Sequence, residues 1–183
     1  HVVRSEDGKT TFAAPNGSSA PIPLTLDSGT IELLIATGFA EVWLAKEGHD
    51  GNIFINFLNK IDLPLIYILY GAMLAGVDGV IIGAGNPDGL PAVRSSLARH
   101  DTVTRHLPVM YAGPGEQFTI SFDPKEIAGG VFAKAPLQRP AFLAIASLED
   151  LVMALAESDS EAPDGFIIEH HCLLYTSPRP RDS

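Results

Sequence analysis

The sequence has little cysteine, no excess of positive charge and no long uninterrupted apolar run. Its 183 residues include one cysteine, Cys172, which excludes an internal disulfide and is typical of a reducing cytoplasm. With 12 Lys and Arg against 22 Asp and Glu, the net charge of −10 disfavours binding to nucleic acid or to an anionic membrane. The richest apolar stretch, 63–77, is broken by Pro64, Gly71 and Gly76, so the sequence predicts no membrane span.

The chain also lacks an initiator methionine and a recognisable signal peptide. It begins at His1, and residues 1–26 are polar and rich in turn formers. Val2 and Val3 on one side and Thr11 and Phe12 on the other flank an Asp7-Gly8 pair, which predicts a hairpin with a type I′ turn. At 46% hydrophobic residues, the chain is sufficient for one domain with a sizeable core or for most of a larger one.

Between residues 27 and 169, helical and strand patterns alternate. Four helices are predicted. The first runs from Ser28 to Gly38, and the second begins near Pro64 and ends before Gly76. The third spans 90–99, and the fourth begins after a Ser147 cap. The predicted strands are short and apolar, at 41–45, 53–57, 79–82, 109–111, 142–146 and 165–169. Such an alternation predicts a parallel sheet covered on both faces, either as a doubly wound open sheet or as a barrel.

One long segment, 112–140, breaks this alternation. It is rich in glycine and proline and has no clear period. A segment of this length in a compact domain is typical of an excursion on a functional rim or of a lid.

Five stretches in the same order resemble the nitronate monooxygenase family, also called 2-nitropropane dioxygenase-like. The longest of them runs without a break from a predicted helix through a buried strand into a glycine-rich turn. They are LAKEGHDG (44–51), NFLNKI (56–61), LYGAMLAGVDGVIIGAGNP (69–87), RPAFLAI (139–145) and DGFIIE (164–169).

The resemblance implies a TIM barrel that holds non-covalent FMN and oxidises alkyl nitronates with O₂. The fold expectation is therefore an α/β protein with a parallel (β/α) barrel of the flavin-binding TIM type. Because a complete barrel needs about 250 residues, we expect the barrel to be incomplete at both ends. Two alternatives stay open: a flavin enoyl reductase of fatty-acid or polyketide synthesis, and a non-catalytic α/β binding or scaffolding domain.

The resemblance also points to residues for FMN. Asn56, at the end of a predicted strand, is the candidate for a hydrogen bond to the flavin ring edge, and Lys60 for a positive charge beside the reduced ring. Gly83, Ala84 and Gly85 form a turn with almost no side chains, which allows a planar ring to approach closely. The alternatives are an interior asparagine, a solvated lysine and an ordinary tight turn.

A polar cluster, Lys46, Glu47, His49 and Asp50, follows the predicted strand 41–45. His49 has a side chain suited to acid–base work, so the cluster is a hypothesis for the catalytic rim, with a polar surface loop as the alternative. The two histidines that flank Asp101, His100 and His106, are interpreted as a solvated loop and not as metal ligands, because no ligand geometry is fixed.

In the family, the strand matching 165–169 leads into a Gly-Gly-His run whose histidine is the presumed catalytic base. Here it is followed by His170-His171-Cys172, without glycine, and 172–183 resembles a translated library adapter or a disordered tail. We therefore expect the chain as given to bind FMN poorly and to turn over no nitronate. Its expected partners are a small substrate and O₂, with a synthase or a second copy as further hypotheses.

Overall fold

The computed structural model describes residues 26–109, 118–158 and 160–169, and the backbone of three short strands before them. Those strands are β1 (Val2–Arg4), β2 (Thr10–Ala13) and β3 (Pro21–Pro23), which form an antiparallel sheet in the order β1-β2-β3. β1 and β2 pair where the sequence predicts a hairpin, and the turn between them lies outside the described residues. β3 has no counterpart in the sequence prediction.

From residue 28 onward, helices and strands alternate. The helices are α1 (Ser28–Ala45), α2 (Asp62–Leu74), α3 (Leu90–Ala98) and α4 (Glu149–Ala156). The strands are β4 (Phe54–Leu58), β5 (Gly79–Gly83), β6 (Val103–Leu107), β7 (Phe118–Phe122), β8 (Ala141–Ala146) and β9 (Gly165–Ile168). A 3₁₀ segment, Pro124–Gly130, lies between β7 and β8.

Four of these strands form one parallel sheet in the order β4-β5-β8-β9. The register places Asn56 beside Ile81, Ile81 beside Leu143, and Leu143 beside Gly165. The predicted mixed α/β fold with a parallel sheet is therefore confirmed. The four strands lie in the sheet in the order in which they occur along the chain, with β6 and β7 between β5 and β8 in sequence.

Only one face of the parallel sheet is covered by the helices. Val80, Ile82, Phe142 and Ala144 alternate along β5 and β8, are 0% exposed, and belong to one apolar core with the helices. The other face, called the open face below, lies outside this core and carries Phe54, Asn56, Leu58, Ile81, Leu143 and Ile145. Since Phe54 and Leu58 are 43% and 45% exposed, the expectation of a sheet covered on both faces is wrong for the described chain.

α1 runs without interruption through the residues predicted as a strand at 41–45, so that strand prediction is wrong. Gly38 does not end the helix but lies buried at its crossing with α2. A Cβ atom on Gly38 would overlap the carbonyl oxygen of Ile68, and one on Gly71 would overlap the carbonyl oxygen of Ile35. The two glycines allow the two helix backbones to touch. The prediction of Gly38 as a helix stop is therefore wrong, because it considered only the neighbouring residues in the sequence.

The N-terminus of α1 is capped by Asp27, and the prediction of Ser28 as the cap is wrong. The Asp27 carboxylate accepts hydrogen bonds from the backbone N–H of Thr30, at 2.9 Å, and from the Thr30 hydroxyl, at 2.7 Å. These bonds lower the pKa of the Asp27 carboxyl below its ordinary value.

We expect Asp27→Ala to lower the midpoint of thermal unfolding by about 2–4 °C, because it leaves the first-turn N–H groups of α1 without an acceptor. Ser28→Ala, one residue away on the same exposed turn, is the matched control and should leave the midpoint unchanged. Circular dichroism melts of the three proteins measure the difference. Equal losses in both variants would contradict the capping assignment.

The segment after α3 is more regular than the sequence predicts. β6 pairs antiparallel with β7, with Val103 opposite Phe122, so part of the predicted excursion 112–140 is a strand and a 3₁₀ segment. Val109 lies in no strand, and 110–117 lies outside the described residues. Ser147 does not cap α4, because the helix begins after Leu148 without a side-chain cap.

Within the described residues, one helix is long and apolar enough to cross a membrane by length and composition. It is α1, with 18 residues and a mean hydropathy of 1.2. One such helix is weak evidence for a span, since a core helix or a signal sequence has the same properties.

Candidate functional site

The residues proposed to contact flavin lie at the carboxyl edge of the parallel sheet. Leu58 and Gly83 are register partners at the ends of β4 and β5, and the backbone N–H of Asn59 donates to the carbonyl of Gly83 at 2.8 Å. Asn56 precedes Leu58 by two residues and is exposed on the open face. Lys60, also exposed, lies two residues after the end of β4. The structure therefore brings Asn56, Lys60 and the Gly83–Gly85 turn to neighbouring strand ends.

The turn after β5 has an unusual backbone. Ala84 has φ of +57° and Gly85 has φ of +155°, conformations that side-chain-bearing residues rarely adopt. A Cβ atom on Gly85 would lie 2.9 Å from the amide nitrogen of Asn59. The space beside Gly85 is therefore filled by Asn59, while Ala84, Gly85 and Asn86 are exposed at the rim.

Sequence reasoning missed the polar group that holds this edge together. Asn59 is 7% exposed; its amide donates to the carbonyl of Asn86 at 2.6 Å, and its side-chain oxygen accepts from Arg105 at 2.8 Å. Arg105 also forms an ion pair with Asp62. The three side chains come from the end of β4, the first turn of α2 and the middle of β6, so no local motif joins them.

The carboxyl edge combines one exposed amide with apolar neighbours and a mostly buried arginine. The Nε atom of Arg105 is buried and has no partner among the described residues. Asn56 places one amide on an otherwise apolar strip with Ile81 and Leu143 as its row neighbours. An apolar surface with a few fixed hydrogen-bonding groups is typical of small-molecule binding sites in general.

The polar cluster Lys46, Glu47, His49 and Asp50 lies at the opposite, amino edge of the sheet. Because 41–45 is helical, residues 46–50 connect the end of α1 to the start of β4 and are not on a carboxyl rim. The ring of His49 accepts from the backbone N–H of Gly51 at 2.9 Å through Nδ1, so Nε2 donates to the carbonyl of Ala45 at 2.7 Å. His49 thus caps the C-terminus of α1, and its placement on a catalytic rim is wrong.

Lys46, from the same cluster, joins α1 to the start of the sheet. Its ammonium lies 2.8 Å from the Asp78 carboxylate, which also accepts the backbone N–H of Ile53 at 2.8 Å. The hydrogen bonds from Lys46 and Ile53 lower the pKa of the Asp78 carboxyl. These bonds give Lys46 a role in fixing the loop that leads into β4.

The interpretation of 100–106 as a solvated loop is wrong for His100. His100 is 3% exposed, and its ring contacts the Tyr70 hydroxyl at 3.0 Å and the carbonyl of Ala135 at 2.8 Å. Since a carbonyl only accepts, Nε2 carries the proton and Tyr70 donates to Nδ1. His106 is exposed on β6, and no group of three metal-binding side chains occurs among the described residues.

The largest charged cluster joins α3 to the amino edge of β8 and β9. Arg94 is 0% exposed and donates to the Pro140 carbonyl at 2.9 Å, to Glu161 at 2.5 Å and to Asp164. Arg139, which is 48% exposed, pairs with the same two carboxylates. This charged cluster lies at the amino edge of the sheet, away from the carboxyl edge, and this position indicates a structural role.

The catalytic histidine of the family has no described counterpart, since His170 and His171 lie outside the described residues. Comparison with family models, with curated proteins and with solved structures gives no match for this chain.

Proposed function

We propose that this chain forms the flavin-contacting part of an FMN-dependent, nitronate-oxidising enzyme with a (β/α) barrel fold. A doubly wound sheet reverses its strand order at a central point and carries helices on both faces. Here the order β4-β5-β8-β9 follows the chain and only one face is covered, as in a segment of a barrel. This single-sided, sequential sheet is the observation that carries the proposal, together with the sequence resemblance.

In this proposal the open face supports the flavin ring at its carboxyl end. The Asn56 amide hydrogen-bonds the ring edge, and Ile81 and Leu143 supply the apolar surface beneath it. Lys60, exposed at the same edge, places positive charge near the ring, while the charge of Arg105 is balanced by Asp62. Bound FMN would supply the redox chemistry, taking electrons from the nitronate and passing them to O₂.

The proposal assigns no catalytic base, because the position that matches the family's histidine falls outside the described residues. His49 lies at the other edge and has both ring nitrogens bonded to backbone. The proposal therefore keeps the chain as a weak flavin binder without nitronate turnover, in the cytoplasm, with a small substrate and O₂ as the partners of the complete enzyme.

Flavin titration tests this proposal. We expect saturable binding of FMN to the full chain, followed through the flavin absorbance near about 450 nm, with a Kd on the order of 100 µM or weaker. Riboflavin should bind within about threefold of FMN, because the proposed contacts involve the ring and not the phosphate. Oxygen uptake with an alkyl nitronate should stay at the level of free FMN.

A matched pair of variants assigns the binding to the open face. Asn56→Leu should weaken FMN binding by about fivefold, the effect of losing one hydrogen bond of about 1 kcal/mol. Asn52→Leu makes the same change at an exposed residue before β4 and should have no effect. The proposal fails if neither flavin saturates, or if both variants bind FMN as the unchanged chain does.

A further inference from the structure

A cavity lies between two helices and the 3₁₀ segment, and none of its walls belongs to the parallel sheet. It is enclosed by α1, by the end of α2 and by the segment that follows β7, and its volume is about 400 Å³. Small-molecule sites in proteins have volumes of about 300–1,000 Å³, so this cavity has room for one small molecule.

The floor of the cavity is apolar. Ile35 and Ile127 are 6% and 9% exposed and belong to the main hydrophobic core, and Leu74 packs against the same core. Phe39 lies one turn beyond Ile35 on α1, and its ring stacks on that of Trp43, with centroids 5.6 Å apart and ring planes 15° apart. A molecule bound here would contact aliphatic and aromatic carbon.

The wall formed by the 3₁₀ segment has a strained backbone. Three successive residues, Ala128, Gly129 and Gly130, have positive φ angles of +48°, +64° and +75°. Glycine adopts this conformation freely, but it is unfavourable for Ala128, which lines the cavity. Strained residues of this kind are frequent where a backbone is held in position to contact a ligand. Phe132, two residues after this turn, lines the same cavity and is 47% exposed.

One side chain gives the cavity a charge. Glu32, exposed on α1, is the one charged residue among the described residues that line it. Within the described chain, the Glu32 carboxylate takes part in no ion pair. The formal net charge of −10 adds a field that attracts cations and repels anions. The aromatic faces of Phe39 and Phe132 also favour a cation.

We propose that this cavity binds a small hydrophobic amine, with its hydrocarbon body on the apolar floor and its ammonium group beside Glu32. An anion of the same size is repelled by Glu32, and a strongly polar molecule would leave its groups without hydrogen-bond partners on this floor. A primary amine on a phenyl or alkyl body avoids both penalties. Because no residue of the parallel strands lines the cavity, the site is separate from the carboxyl edge and independent of flavin binding there.

Three probes with the same phenyl body and different polar groups test the proposal on the full chain: phenethylamine, phenethyl alcohol and phenylacetate. Trp43, the one tryptophan of the chain, reports occupancy through its stacked neighbour Phe39 when it is excited where phenyl rings do not absorb. Ligand-detected NMR gives a second measurement of each Kd.

We expect a Kd of about 0.1–1 mM for phenethylamine, which is ordinary for a ligand of this size. Phenethyl alcohol should bind about threefold to fivefold more weakly, because an ion pair at an exposed carboxylate contributes little. Phenylacetate should bind at least about tenfold more weakly than the amine, because its charge is repelled by Glu32. Added salt should reduce the difference between the amine and the alcohol, since it screens the ion pair.

Two pairs of variants locate the binding. Glu32→Gln should raise the Kd of phenethylamine to that of the alcohol, while Glu41→Gln, which removes the same charge from an exposed residue of α1 outside the cavity, should change it by less than about twofold. Ala36→Phe places a ring inside the cavity and should weaken the amine and the alcohol by at least about tenfold. Ala40→Phe places the same ring one turn further along α1, outside the cavity, and should leave both unchanged.

Three results would each overturn the proposal. If none of the probes saturates, the cavity is closed or is filled by another part of the protein. Equal Kd values for the amine and the acid would show a cavity without preference for cations. Equal losses in Glu32→Gln and Glu41→Gln would show that the net charge alone attracts the amine. Circular dichroism verifies that each variant is folded, and the two glutamine variants decide the outcome if Ala36→Phe does not fold.

Discussion

Gly71→Ala is expected to cost about 3 kcal/mol or more of the free energy of unfolding, a large fraction of the roughly 5–15 kcal/mol of an ordinary domain. The added methyl group would overlap the carbonyl oxygen of Ile35, an atom of the α1 backbone that cannot move without displacing the helix. Gly38→Ala should have a comparable effect, because its methyl group would overlap the carbonyl oxygen of Ile68 on α2. Urea unfolding followed by circular dichroism measures both losses.

Gly29→Ala provides the control within the same helix. Its new methyl group would meet only the exposed Asp27 carboxylate, at 3.2 Å. Alanine otherwise favours helix over glycine by up to about 1 kcal/mol, so Gly29→Ala should be neutral or mildly stabilising. Equal stability of the Gly71→Ala and Gly29→Ala proteins would show that the two helices do not touch through their backbones.

Arg94→Leu is expected to lower the free energy of unfolding by about 2–3 kcal/mol, because it removes the hydrogen bonds of a buried guanidinium to a backbone carbonyl and to two partly exposed carboxylates. Arg94 is fully buried, donates to Glu161, Asp164 and the Pro140 carbonyl, and lies with its guanidinium carbon 5.6 Å from the Phe142 ring centroid. Arg139→Leu removes a cation from the same carboxylates, but Arg139 is 48% exposed. It should cost about 1 kcal/mol or less.

Arg94→Leu should also change how the free energy of unfolding responds to acid. Burial raises the pKa of the Asp164 carboxyl, but hydrogen bonds from Arg94 and the Phe142 N–H, with the nearby positive charges, lower it on balance. A carboxyl with a lowered pKa stabilises the fold above its unfolded value, and this stabilisation is lost as the pH falls through the folded value. Unfolding free energies between about pH 5 and pH 3 should therefore fall less in Arg94→Leu than in the unchanged chain.

Local sequence patterns predict α2 and the four parallel strands β4, β5, β8 and β9 close to their observed bounds. Pro64 in the first turn and Gly76, with φ of +75°, just beyond the end place α2 close to its observed limits. β5 and β8 are continuous apolar runs, and both are buried central strands. These features depend on a residue and its near neighbours, which is why a pattern can predict them.

The wrong predictions concern residues whose structure depends on contacts with residues distant in the sequence. Gly38 has the local character of a helix stop, but the close approach of Ile68 makes it an interior helix residue. β6 carries Arg105 and was not predicted, because it is polar and its partner β7 lies within an aperiodic segment. His49 was placed on the wrong edge of the sheet as a direct consequence of the error at 41–45.

The sequence by itself determined the α/β class, the helix–strand alternation and the residues that meet at the ends of β4 and β5, because hydrophobic period and turn chemistry are local. Only the tertiary structure showed that, within the described residues, one sheet face is uncovered, and that Asn59, Arg105 and Asp62 form one cluster. These properties depend on which surfaces meet in space, and nothing in the spacing of residues along the chain records that.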